Sequence, residues 1–285
     1  MKPTVFSAIL LFAGMTASAQ QVQKFSHRGG RGLMPENTII AMKNALDFRT
    51  NLELDLYISK DGQVLVHHNS AISPVTASYP DGRPVGKEEQ ASLKVFNLDY
   101  TTIRSFDIGK RYEAELPRKK TVPAYIPLFA ELIDSVEAYV QKGGLEKPLY
   151  CPELKVPNGN LPDQYRERLA DAAMEIILKK NITERVVVQS FDVKTLEYLH
   201  KKYPYVKTSY LVLARQADYV NTLKLLSFKP TYFSPPFKIV TPELIAHCHK
   251  NGIQVITWTV NSKEEIEQLK RMGVDAIISD YPDFL

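Results

Sequence analysis

A (β/α)8 barrel, the TIM-barrel architecture, is the fold class predicted by this sequence, and three observations predict it. Eight short apolar or β-branched runs alternate with amphipathic helical patterns along the chain. The alternation occupies about 260 residues, close to the roughly 250 typical of such barrels. With 44% hydrophobic and 24% charged residues in a chain of 285, there is apolar material for one large core. A doubly wound open sheet would satisfy the same alternation.

Ahead of the first strand, residues 1–19 read as a cleavable export leader. Lys2 precedes the apolar run "VFSAILLFAGM" at 5–15, and Ala17-Ser18-Ala19 supplies the small residues of a cleavage site. The run is shorter than the roughly 18 apolar residues that a membrane span requires, and no cysteine follows it to carry a lipid. The expected mature protein starts near Gln20, has no transmembrane segment and is periplasmic or secreted.

The barrel is expected to fill residues 20–285. Its predicted strands are "QKFSH" ending at His27, then 52–56, 149–155, 185–191, 206–213, 231–235, 254–260 and 276–280. Helical patterns occupy 37–47, 128–141, 164–180, 193–202, 215–226, 242–251 and 263–272. Thr241 before Pro242-Glu243 marks one helix start, and Asn251-Gly252 marks its end.

One interruption breaks the rhythm. "LELDLYIS" and "VLVHH" are alternating runs joined through Asp61-Gly62, a strong hairpin signal. A two-residue loop sets Lys60 against Gln63 and, counted back along both arms, Asp55 opposite His68. Residues from about 69 to 125 then loosen into Pro, Gly and charge, with few apolar periods. They are expected to form a small subdomain inserted after the second strand, placed to cover a substrate.

Strand parity puts the chemistry on one face. Glu53 and Asp55 are two apart, so both side chains point the same way, toward the mouth if that face is the barrel interior. Glu153 in "PELK" stands similarly, with Lys155 two residues on. Three converging carboxylates repel unless a cation neutralises them, and oxygen donors suit a hard divalent ion, Ca2+ or Mg2+. His27 ends the first strand and the hairpin brings in His68; two imidazoles beside a metal suit acid and base roles. His67 should face the other way.

Arg28 and Lys155 add positive charge where a phosphate would sit, aided by the amides of the Gly29 to Gly32 loop. The chemistry implied is attack on a phosphodiester. Trp258, the only tryptophan, is a candidate wall for the alcohol part of a substrate, with Phe191 and Tyr210 weaker candidates. His200, His247 and His249 fall on outer helices as bystanders.

Other classes are disfavoured. A net charge of +4 gives no nucleic-acid footprint. Cys151 and Cys248 lack metal-ligand spacing and read as buried free thiols. Paired carboxylates in a barrel mouth also suit a glycosidase, which would act without metal and expose several aromatic platforms. A phosphodiester-binding barrel without turnover is the alternative outside catalysis.

The segments "HRGGRGLMPENT", "LELDLYISKDGQVLVHH", "PELK", "QSF", "WTVN" and "GVDAIISDYPDFL" resemble, in order, those of the glycerophosphodiester phosphodiesterase family, from about residue 25 to the C-terminus. The resemblance implies a TIM barrel with a small insertion and a divalent ion held by Glu53, Asp55 and Glu153. It further implies His27 and His68 as the acid–base pair, Arg28 and Lys155 near the phosphate, and hydrolysis of glycerophosphodiesters to sn-glycerol 3-phosphate and an alcohol. A lysophospholipase D activity would differ in needing room for an acyl chain. Two positions depart from the family pattern. Asn69 stands where an Asp usually follows the second histidine, and Ala130 in "IPLFAEL" replaces one of two adjacent acidic residues.

Overall fold

The computed structural model describes residues 22–158, 161–162 and 164–285, so the leader predicted at 1–19 lies outside the described residues. Eight parallel strands close into a ring: β1 (Gln23–Ser26), β2 (Asn51–Ile58), β4 (Tyr150–Leu154), β5 (Val187–Ser190), β6 (Lys207–Leu211), β7 (Tyr232–Ser234), β8 (Gln254–Thr257) and β9 (Ala276–Ser279). Closure comes from β1, which pairs with β9 on one side and with the start of β2 on the other. This ring excludes the open sheet. The remaining strand, β3 (Val64–Val66), lies antiparallel to the far end of β2.

Alternation along the strands decides what faces where. Leu52, Leu54 and Leu56 of β2 are fully buried in the large core between strands and helices, each contributing about 1.5–3 kcal/mol by burial. The intervening Glu53 and Asp55 therefore face the barrel interior. Below them a separate cluster that includes Phe25, Cys151, Val187, Tyr232 and Ile256 fills the barrel floor. Both cysteines are buried free thiols.

The outer layer is formed by α1 (Ile39–Asp47), α3 (Phe129–Gly143), α4 (Tyr165–Lys179), α5 (Val193–Lys202), α7 (Pro242–Lys250) and α8 (Lys263–Met272), with two five-residue helices, α2 (Tyr100–Arg104) and α6 (Tyr219–Leu223). None of the described helices is long and apolar enough to cross a membrane. Two helices start later than the sequence suggests. Thr38 caps α1 by accepting from Ala41 N, leaving Asn37 outside the helix in a left-handed conformation, φ 57°. The pattern at 215–226 shrinks to α6 because Gln216 bonds back to Leu213 N and Asp218 caps a fresh start.

The hairpin register is shifted by one from that expected. Its loop is Lys60 to Gly62, with Gly62 at φ 81°, so Ser59 rather than Lys60 faces Gln63. His67, not His68, lies opposite Asp55, donating its backbone N–H to Asp55 O at 2.9 Å. The longer loop is fastened by Asp61, whose Oδ1 accepts from Ser59 Oγ at 2.5 Å and from Tyr100 N at 3.0 Å.

Residues 69–125 carry little regular structure, yet Ile72, Val95, Ile103 and Phe106 are buried in the same core as the barrel. The segment touches the loop after β1, where Lys120 N donates to Leu33 O at 2.9 Å, and the C-terminal turn, where Arg118 donates to Asp283 at 2.6 Å. Glu131, beside Ala130, ties α3 to it through Arg104 and Tyr125.

Candidate active site

At the C-terminal end of β1 the chain must reverse within a few residues to enter α1. Arg28, Gly29 and Gly30 all take left-handed conformations (φ 53°, 77° and 88°), which glycine adopts freely and arginine only against strain. A side chain at Gly29 would meet Ala41 of α1 at 2.9 Å. This turn aims the Arg28 amide at Glu53, donating to Oε2 at 2.8 Å.

The three carboxylates converge. Register sets Asp55 beside Glu153 across β2 and β4, with Glu53 two residues below Asp55. One oxygen from each of Glu53, Asp55 and Glu153 lies within 4.8 Å of the others. Lys155 Nζ stands 2.9 Å from Glu153 Oε1 and 3.5 Å from Asp55 Oδ1. Arg28 Nη1 contacts both oxygens of Glu36 at 3.1 and 3.0 Å, and its Nε is 3.4 Å from Asp55.

Burial and the neighbouring Asp55 drive the Glu53 carboxyl well above the usual carboxylate range. Burial, opposed by Lys155 and reinforced by Asp55, pushes Glu153 up to about 7. Burial works against ionisation of Asp55 too, but Lys155 and Arg28 hold its carboxyl well below the usual range. Carboxyls driven up in this way ionise normally beside a cation, and an all-oxygen donor set suits a hard divalent ion. The residues present therefore fit a metal.

Two imidazoles join them. His27 Nδ1 lies 2.6 Å from Asp280 Oδ1, so Nδ1 carries the proton and Nε2 is left free. Asp280 is locked by Asn261, which donates to its Oδ2 at 2.8 Å and accepts from its backbone N–H at 3.0 Å. His68 Nδ1 pairs with Asn69 Oδ1 at 3.0 Å. His67 turns away, its Nε2 3.3 Å from Ala71 O.

These groups wall a cavity of about 320 Å³. His27, Arg28, His68, Glu53, Glu153 and Lys155 form its charged side, whereas Phe191, Leu211, Trp258 and Ile278 form an apolar one. Trp258 lies one residue beyond β8, where its indole donates to Ser234 O at 2.9 Å and meets Phe191 edge to face, centroids 5.7 Å apart. Tyr210 is instead buried with Phe233 behind the barrel wall. His200, His247 and His249 lie on α5 and α7.

Sequence reasoning passed over several residues that hold this arrangement. Asp280 directly follows the last barrel strand, at the same C-terminal end of the barrel that singled out Glu153. Gln189, two-residue parity on β5, donates to Glu53 Oε1 at 2.9 Å. Asn37 donates to Asp55 Oδ2 at 2.8 Å and accepts from Asp55 N at 3.2 Å, a role hidden when it is read as the start of a helix.

Carboxylates that call for a cation, beside cations placed to meet an anion, define a barrel enzyme acting on phosphate esters. The profile of the glycerophosphoryl diester phosphodiesterase family matches residues 27–284. A glycerophosphodiester phosphodiesterase of Caldanaerobacter subterraneus is 28% identical over 91% of this chain and 94% of its own. A solved Silicibacter pomeroyi structure, described as a candidate glycerophosphoryl diester phosphodiesterase, is 28% identical with a TM-score of 0.82, covering 92% of this chain and 91% of that one. An Oleispira antarctica phosphodiesterase, solved with its product sn-glycerol-3-phosphate, shares the fold at 21% identity and a TM-score of 0.72, covering 91% of this chain and 93% of that one. The chain belongs to the glycerophosphoryl diester phosphodiesterase family and is a phosphoric diester hydrolase.

Proposed function

We propose that this enzyme hydrolyses glycerophosphodiesters to sn-glycerol 3-phosphate and an alcohol, using a divalent ion, Ca2+ or Mg2+, held by Glu53, Asp55 and Glu153. The observation that supports this reading is the three-carboxylate cluster, two members of which, Glu53 and Glu153, line one cavity with both imidazoles. The ion, when bound, would supply Lewis-acid stabilisation of charge on the phosphoryl oxygens. Arg28 and Lys155 would bind the same oxygens, their positions held by Glu36 and Glu153. One imidazole takes a proton from the nucleophile and the other delivers a proton to the leaving alcohol. His27 would use its Nε2, since Nδ1 is engaged by Asp280. Trp258 and Phe191 would pack against the apolar part of the bound diester.

The test is incubation of the purified protein with glycerophosphocholine or glycerophosphoethanolamine in Ca2+, Mg2+ or EDTA, measuring sn-glycerol 3-phosphate. Product with a metal and none in EDTA is expected. Turnover that persists in EDTA overturns the metal, and no product under any condition overturns the reaction. Export to the periplasm or medium belongs to the same proposal and rests on the leader pattern at 1–19. N-terminal sequencing of the protein from fractionated cells should find the chain starting near Gln20.

A further inference from the structure

The cavity holds three cations, and one of them is engaged differently. Arg28 bonds both oxygens of Glu36 through Nη1, and Lys155 is bound between Glu153 and Asp55. Arg31 has a buried Nε that stands 2.8 Å from Glu36 Oε2, an ion pair outside hydrogen-bond geometry. Its terminal nitrogens, Nη1 and Nη2, hydrogen-bond none of the described residues, although Arg31 lines the same cavity. Arg31 is also more exposed than Arg28, 26% against 11%, which sets it nearer the mouth.

Glu36 is shared between this arginine and Arg28. Arg28 and Arg31 hold the Glu36 carboxyl ionised, overcoming the effect of burial and pushing it down to about 2. Arg31 is thus held to Glu36 by charge alone and keeps its guanidinium uncommitted among the described residues, a fork that can pair with a carboxylate or phosphate through two parallel hydrogen bonds. The diester phosphate itself would sit deeper, against Arg28, Lys155 and the carboxylate cluster.

Building on the reading above, we infer that Arg31 is a specificity residue that binds a second anionic group, a carboxylate or phosphomonoester, on the alcohol half of the diester. The preferred substrates are then diesters whose head group bears its own negative charge.

Matched substrate pairs test this. Glycerophosphoserine differs from glycerophosphoethanolamine by one carboxylate, and glycerophosphoinositol 4-phosphate differs from glycerophosphoinositol by one phosphate. For the wild type and for Arg31→Gln and Arg31→Lys, kcat and KM are measured on all four. The expected result is a wild-type preference for the more anionic member of at least one pair. In Arg31→Gln the ratio of kcat/KM within that pair should fall about tenfold or more, mainly through KM, with Arg31→Lys intermediate. A merely structural role through Glu36, or contact with the shared phosphodiester, would slow both members alike and leave the ratio unchanged. Ratios in both pairs that move less than about twofold overturn the inference. Wild-type enzyme inert on all four diesters instead overturns the proposed reaction.

Discussion

His27 and His68 face one cavity but rest on opposite kinds of support. His27 ends a barrel strand and leans on Asp280, 253 residues away in sequence, a buried carboxylate itself locked by Asn261. His68 follows the β3 arm of the hairpin and leans on Asn69, the next residue, through a neutral amide. A carboxylate both orients an imidazole and stabilises its protonated form, whereas an amide only orients it. Both rings are pushed toward the neutral form. Burial and Arg28 lower His27 against the pull of Asp280. Burial lowers His68 to about 4 against the pull of Asp55, with Arg28 and Lys155 adding to the fall. The difference teaches that the proposed acid and base are supported unequally, with only His27 backed by a dedicated negative charge.

The comparison can be broken most directly by removing each ring. His27→Ala and His68→Ala should each cost about 10²–10⁴-fold in kcat while circular dichroism and melting stay close to wild type. A fully active variant would remove that histidine from the chemistry. Next in size, Asp280→Asn keeps the contact but deletes the charge, and should lower kcat about 10- to 100-fold. Asn69→Ala, deleting only a neutral partner, should cost less. Equal losses in the two variants would erase the distinction drawn here.

The smallest effect is the most diagnostic. Asn69→Asp puts a carboxylate behind His68 and favours its protonated form, so its pKa rises. The limb of the kcat/KM profile set by His68 should therefore move to higher pH, by about one unit. The His27 limb should hardly move. A profile unchanged by Asn69→Asp would mean that residue 69 does not tune the ring.

Much of this site was legible along the chain because strand alternation is a local property. Glu53 and Asp55 had to share a face once LELDL was a strand, and the opposite face had to be leucine to bury against helices. The hairpin was visible too, but its register was not. Asp61 bonds to Tyr100 in the insertion, a distant contact that accompanies a three-residue loop. His68 still reaches the cavity because β3 stops at Val66, beyond which strand alternation no longer dictates direction.

The sequence by itself determined the alternation of strands and helices, the inward parity of the carboxylates and the glycine-rich turn after β1, since each depends on neighbours a few residues apart. Only the tertiary structure decided that β9 closes on β1 and so delivers Asp280 to His27, that Gln189 braces Glu53, and that Asn37 leaves its helix to hold Asp55. Ring closure sets those meetings, and it reflects the packing of all eight strands together, a sum that no short window of the chain contains.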